Sequence, residues 1–532
     1  MKRNKIILMF GRIALCAALF SAVACTGKFE EYNTKPYRPT DEDLKGDNLG
    51  VGILFPSMLE WMMHVQVNAS QYQDVLIGDE LGGYCSAVKP YQGQNISTYN
   101  PSDAFNDPLF ENTFSNFYSN YYQVVNETGG EGPVYQLVQI VRVASMLRVT
   151  DAYGPIPYTG MQQGTFSVPY DSQKDVYMAM IADLDEAMDV LYTFISSGNT
   201  SLLPESDISS YAGNARLWLA FANTLKLRMA IRMSGVLEVQ ADAQRFAEEA
   251  VDDAAIYGLV DEVSESMYFE LSSRRNPYFT QATISDWQDL RSNANITMYM
   301  NAYADPRRPH YFSVSSYGGD LAYVGARSGI NGVQVKDYTG YSYPLFGETD
   351  PVPVMYAAES WFLRAEGALL GWSMGDTAEN LYKMGIQTSM AEAGCSSDYN
   401  SYIQKSDEVK LSYEDPLGRN SDIDFGTAPS VAWAADGNEL ERIIIQKWIA
   451  NYMIGHEAWA DFRRTGFPEM LMAVNNLSHG GQWGEVDGTR GMRRLHYPQS
   501  EYDNNRENVT VAVQLLDGPD QHGTDVWWAK KN

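Results

Sequence analysis

The sequence predicts a mostly α-helical protein, built from helix pairs that suggest a tetratricopeptide-like layer and carry long irregular loop insertions. Three observations predict this. Four stretches read as paired helices, approximately 133–152 with 172–196, 211–235 with 240–257, 353–372 with 376–393, and 439–454 with 457–465. Small residues, among them Ala182, Ala187, Ala220, Ala222, Ala230, Ala365 and Ala368, sit inside those helices and let neighbours pack closely. Between the pairs, 265–350 and 395–437 are rich in Tyr, Gly, Ser and Asp and read as irregular insertions.

From the N-terminus, Lys2, Arg3, Lys5 and Arg12 form a basic start, Ile13 to Ala24 is apolar and short, and Ala22 and Ala24 precede Cys25. This is the layout of a secretory signal over 1–24, with an apolar run too short for a comfortable membrane span. Ala22-Val23-Ala24-Cys25 resembles a lipobox, in which Cys25 is the lipidated residue, with Ala22 where Leu is usual. Thr26 rather than Asp follows, which by resemblance to Gram-negative lipoproteins permits transfer to the outer membrane. Residues 25–48 are polar and turn-rich and read as a flexible tether, leaving 49–532 as a single folded domain. From Val51 to Gly83 the pattern is helical, and Ser86 to Pro108 is a long loop of the kind that often carries function. Past Cys25 only Cys85 and Cys395 remain; nothing in their spacing demands a bridge, and two buried thiols are expected.

In the last pair, Leu440, Ile444, Trp448 and Tyr452 fall four apart on one helix face, and Gly466 and Pro468 stop the second helix. The block Glu441 to Pro468 resembles the most recognisable segment of the SusD/RagB family, surface lipoproteins that bind nutrients at the Gram-negative outer membrane. Further segments resemble it: Asp151 to Tyr158 (DAYGPIPY), Asp305-Pro306-Arg307-Arg308, Tyr356 to Trp372, Arg493 to Tyr502 and Trp527-Trp528. Gly367 stands where the family often has Ala. The resemblance implies a SusD-like fold with four tetratricopeptide-like helix pairs, in which binding loops pack over the helical layer as one unit. It implies capture of an oligosaccharide and its delivery, unaltered, to a SusC-type TonB-dependent transporter. The RagB-like branch implies peptide import as the alternative. Some members bind calcium structurally, and the resemblance names no ligands for it in this chain.

A formal charge of −28 repels nucleic acid and anionic headgroups. Gly371-Trp372-Ser373-Met374-Gly375 fits a nucleophile elbow, but it follows a predicted helix where an elbow needs a strand. None of the six histidines pairs at i, i+4, and His456-Glu457 lacks the second His of a zinc protease. Asp517, Asp520 and Asp525 crowd a loop without EF-hand spacing and read as a solvated acidic turn. Carboxylates are abundant, so a surface glycosidase stays as an alternative of another class. One or both of Arg463 and Arg464 are expected to pair with carboxylates and hold the last helices to the body.

With 35 Tyr and 11 Trp against 20 Phe, the chain is rich in aromatics that combine a ring with a polar group. Rings stack on sugar C–H faces while Tyr hydroxyls, Asn and Asp bind sugar hydroxyls. The candidates are Tyr84, Tyr91, Gln94, Asn95, Tyr99 and Phe105 on or beside the Ser86–Pro108 loop, and Tyr278, Trp287 and Arg291 in the second irregular stretch. Trp61, Trp218, Trp361, Trp448 and Trp459 sit in helical patterns and are expected in the core.

Overall fold

A computed structural model describes residues 49–163, 167–330 and 332–529. The leader 1–24, Cys25 and the tether 25–48 lie outside the described residues. Among the described residues the main helices are α1 (Leu49–Leu59), α2 (Tyr118–Thr128), α3 (Gly132–Tyr153), α4 (Gln173–Ser196), α5 (Ala215–Met233), α6 (Gln240–Asp252), α7 (Ala294–Ala302), α8 (Ala358–Leu369), α9 (Ala378–Glu392), α10 (Glu439–Ala450) and α11 (Gly455–Thr465). Side-chain caps start several of them. Ser172 accepts the Asp175 amide at 3.1 Å, Asn214 the Arg216 amide at 3.0 Å, and Thr377 the Asn380 amide at 3.2 Å. Gly466, at φ +88°, ends α11 in a left-handed turn that costs glycine little.

The protein is mostly α-helical, and its helices pack in pairs. α3 lies on α4, α5 on α6 and α8 on α9; α5 bridges α4 to α8, and α10 packs on α8 and α9. A ten-residue π-helix, Ser70–Asp79, packs on α11 instead. Its approach is so close that a Cβ on Gly455 would stand 2.2 Å from the Asp79 amide nitrogen. The strands form three two-stranded antiparallel sheets. β1 (Cys85–Ala87) pairs with β3 (Leu290–Ser292), β2 (Met267–Phe269) with β4 (Val352–Met355), and β5 (Val409–Tyr413) with β6 (Ile423–Ala428). β4 corrects the predicted helix start at 353: Val352–Met355 is strand, and α8 begins only at Ala358.

The segments singled out in the sequence converge on one buried ion cluster. Arg232, 2% exposed, lies between the carboxylates of Asp151 and Glu457. Arg228 forks onto Glu359 at 2.8 and 2.7 Å, Lys447 meets Asp461 at 2.9 Å, and Arg464 pairs with Glu366 and Asp461. Burial alone would raise the Asp461 carboxyl, but Lys447 and Arg464 hold it well below its ordinary value. Arg463 is held differently. Its guanidinium stacks 3.5 Å from the Trp459 ring and donates to the carbonyls of Asp151 (2.7 Å) and Arg493 (3.0 Å). In the Asp305-Pro306-Arg307 turn, Arg307 and Asp305 pair at 2.7 Å with neither exposed.

Gly367 has a local reason: a Cβ there would stand 2.6 Å from the Met374 sulfur. The Gly371–Gly375 segment is the turn between α8 and α9, with both glycines at positive φ and no strand before it. Cys85 and Cys395 are buried free thiols. Trp218, Trp448 and Trp459 are in the core, while Trp61 and Trp361 are half-buried against it. No helix among the described residues is long and apolar enough to cross a membrane.

Candidate functional site

Pairing of β1 with β3 sets the site. Beyond Ala87↔Leu290 the Val88 amide donates to the Asp289 carbonyl at 2.9 Å, which brings Lys89 and Tyr91 to Asp289. Tyr91 sits at φ +41° and Gln288 at φ +48°, left-handed conformations that cost a side-chain-bearing residue energy. The Tyr91 ring meets Phe105 edge-on, with centroids 5.0 Å apart, and Phe105 in turn stacks on Tyr72 at 5.4 Å. The Tyr91 hydroxyl accepts from Gln71 Nε2 at 3.1 Å and donates to Asp289 Oδ2 at 3.3 Å. The same carboxylate oxygen takes Gln71 Nε2 at 2.9 Å and the Lys89 ammonium at 3.5 Å. Asp289 Oδ1 is buried with no hydrogen-bond partner among the described residues. Burial first, then the Asp289 charge, pushes the Tyr91 phenol well above its ordinary value, so it stays neutral. The arrangement offers a fixed aromatic face, a neutral hydroxyl and an ammonium 5.8 Å from the Tyr91 ring centre.

The sequence candidates divide. Tyr91, half-buried, and Phe105 belong to this face, and Trp287, half-buried, lies two residues from Asp289. Gln94 is exposed beside Gly93. Asn95 and Tyr99 are buried braces: Asn95 Oδ1 accepts the Thr98 amide at 3.1 Å, and the Tyr99 hydroxyl accepts the Ala473 amide at 3.2 Å. Three candidates are corrected. Tyr84 is fully buried, stacked on Trp448 and donating to its carbonyl at 2.6 Å. Tyr278 is fully buried against Phe346. Arg291, 2% exposed, spends its guanidinium on the carbonyls of Tyr338 (2.8 Å) and Leu290 (2.6 Å). The stretch read as irregular forms short regular elements here: Tyr278 lies in the helix Pro277–Thr283, Arg291 lies in β3 and Tyr84 directly precedes β1, and each packs its side chain into the core. Gln71, Tyr72, Lys89 and Asp289 were missed, and only the half-polar composition of the Ser70–Asp79 segment could have drawn attention to the first two.

A separate cleft of about 820 Å³ opens between α7, Gly319–Val324 and the β5–β6 hairpin, walled by Tyr323 and Tyr413. Its charges are partly spent on each other, with Lys410 pairing Asp424 at 2.8 Å. Asp520 and Asp525 are taken by Arg494 and by Arg490 and Arg493, so they do not form an open carboxylate cradle. Asp103, Asp107 and His496 instead bring metal-competent atoms within 4.8 Å of one another.

The SusD-like family, described as Susd and RagB outer membrane lipoprotein, matches residues 31–529. Among solved structures, a SusD homolog from Bacteroides uniformis is 38% identical, with TM-score 0.83, covering 91% of this chain and 99% of its own. A SusD-like protein from Bacteroides thetaiotaomicron is 36% identical with TM-score 0.83 over the same shares. A chitin-binding SusD homolog from Flavobacterium johnsoniae is 34% identical with TM-score 0.84, again over 91% and 99%. No curated protein matches the chain. The chain belongs to the SusD/RagB family: it is a lipid-anchored, outward-facing lipoprotein of the outer membrane, and a binding protein rather than an enzyme.

Proposed function

We propose that this protein captures an extracellular oligosaccharide on the face formed by Tyr72, Lys89, Tyr91, Phe105 and Trp287. It hands the glycan, unaltered, to a SusC-type TonB-dependent transporter and closes over that barrel. The observation that carries the reading is Tyr91. Its ring is braced by Phe105 and its hydroxyl is tied to Gln71 and Asp289, so a stacking surface is held ready before ligand arrives. Sugars need such a ring and neighbouring polar groups together. The Flavobacterium relative, whose name describes chitin binding, makes chitin oligosaccharides the first glycans to try. The reading includes a leader over 1–24, an acylated Cys25, a tether over 25–48, and one domain over 49–532 with four tetratricopeptide-like helix pairs. Gln94, exposed on the same loop, belongs to the rim of the proposed face.

A second reading, peptide import in the RagB-like manner, draws on the hairpin. Among the described residues β5 and β6 pair only with each other, so each has an outer edge able to pair with an added strand, next to the cleft of about 820 Å³.

Isothermal titration of the mature protein against glycan and peptide panels tests both. Glycan binding is expected to weaken roughly tenfold or more in Tyr91→Ala and in Trp287→Ala, about 1.4 kcal/mol for a lost stacked ring. Glycan affinity that survives both substitutions refutes this face, and peptide heat with silent glycans moves the function to the second reading. Purification from membranes in mild detergent should recover a large β-barrel protein; its absence would sink the transporter partnership.

A further inference from the structure

We propose that Asp103, Asp107 and His496 form a binding site for a divalent transition-metal ion of the zinc type, distinct from the aromatic face. Three features converge on it. The His496 ring is fully buried, and its Nδ1 lies 2.9 Å from the Tyr497 carbonyl oxygen. A carbonyl only accepts, so Nδ1 carries the hydrogen and the neutral ring presents a bare lone pair at Nε2. That atom has no hydrogen-bond partner among the described residues, and Asp103 Oδ1, at 3.9 Å, is too far to be one. Buried polar atoms are almost always satisfied, so this one calls for a ligand.

Its surroundings are those of a metal-bound imidazole. Fixing Nδ1 on a backbone carbonyl selects the tautomer a metal needs at Nε2. Trp483 stacks on the ring at 3.5 Å and fixes its plane. Asn106 ties the other half into place: its Nδ2 donates to Asp107 Oδ1 at 2.8 Å and to the His496 carbonyl at 2.9 Å. One amide therefore sets the Asp107 carboxylate against the His496 segment and leaves Oδ2 free of that bond. Asp103 supplies the adjustable arm, its side chain being 61% exposed.

The donor set decides the ion. Calcium and magnesium favour all-oxygen shells, whereas one imidazole with two carboxylates suits zinc and its neighbours. Three protein ligands with water in the fourth position make an ordinary tetrahedral site. Bond lengths of about 2.1 Å place tetrahedral donors roughly 3.4 Å apart. The donors here lie within 4.8 Å of one another, so an ion would draw them in: the exposed Asp103 carboxylate by a swing from 3.9 Å, and the Asp107 carboxylate by turning toward Nε2. Two carboxylates and a neutral imidazole balance the charge of a dication. Because Phe105 lies between the two aspartates, an occupied site would pin its helix, Asp103–Asn106, to the C-terminal segment.

The test is titration of zinc chloride into chelator-stripped mature protein, with anomalous diffraction from zinc-soaked crystals. We expect one zinc per chain and an anomalous peak between the three side chains. Asp103→Asn, a change at an exposed position, should keep the metal-free melting temperature while weakening zinc binding roughly tenfold or more. His479→Ala, which removes an exposed imidazole elsewhere, should leave zinc binding unchanged. Absence of stoichiometric binding overturns the proposal. So does equal affinity in Asp103→Asn and Asp107→Asn, a peak elsewhere, or preference for calcium over zinc.

Discussion

Replacing Glu392 by Gln removes one buried charge and almost no shape. Glu392 closes α9, where its Oε1 accepts the Ser266 hydroxyl at 2.6 Å and the Ala357 amide at 2.8 Å. Its Oε2 has no partner among the described residues. Burial, only partly offset by those donors, pushes the carboxyl from an ordinary 4.5 up to about 7. Between those values the folded chain keeps a proton that the unfolded chain releases. Stability from this group is therefore greatest below the unfolded value of 4.5, declines as pH climbs toward about 7, and stays low above it. At about 1.4 kcal/mol per pH unit the window is worth about 3 kcal/mol. Glutamine keeps the accepting oxygen, substitutes an NH2 for the partnerless one, and does not ionise. Urea denaturation across pH 4 to 8 should show a difference, Gln variant minus native, that starts small and rises toward about 3 kcal/mol at the alkaline end. A difference that fails to grow with pH, or a Gln variant less stable at pH 8, would refute the reasoning.

Other substitutions test other parts of the molecule. Gly455→Ala brings a Cβ to 2.2 Å from the Asp79 nitrogen and 2.3 Å from the Gly78 carbonyl carbon, both backbone, and should cost about 3 kcal/mol or prevent folding; a native-like melting point contradicts this. Arg232→Met strands Asp151 and Glu457 without their shared cation and should lower stability by about 3–5 kcal/mol, measured by urea denaturation at pH 7. Tyr84→Phe leaves the Trp448 carbonyl without its donor, costing about 1 kcal/mol while leaving glycan affinity unchanged. A loss of glycan binding in that variant would return Tyr84 to the ligand face.

The helices were legible because their apolar period survives in single residues: α3, α4, α8 and α9 end within a few positions of the predicted bounds. The β5–β6 hairpin was not seen, although Val409-Lys410-Leu411-Ser412-Tyr413 alternates outward and inward side chains. Its short strands were submerged in a stretch whose overall composition reads as loop. The site was half legible. An aromatic on an irregular segment could be recognised as a candidate, and Tyr91 and Phe105 do meet. What could not be read was which way each loop folds. Asn95 and Tyr99 turn inward as braces, and Arg291 is drawn in to satisfy backbone carbonyls. Asp289, which orders the Tyr91 hydroxyl, comes from about 200 positions away in the chain and reaches it through the β1–β3 ladder. Pairings at that range depend on register, which a single sequence does not display.

Asp151 has a temporal consequence. Its carboxylate accepts the Trp528 indole at 2.9 Å across a separation of 377 residues, and the same group anchors Arg232. A chain crossing a membrane N-terminus first would deliver Asp151 and Arg232 long before Trp528. Until Trp528 arrives, the indole that lies 5.5 Å from Arg232 and 4.8 Å from Arg463 is missing, and Asp151 lacks one of its donors. The order of delivery thus sets an order of assembly: the helix pairs nearer the N-terminus can pack first, and the charged centre gains its indole cover only once Trp528 is across.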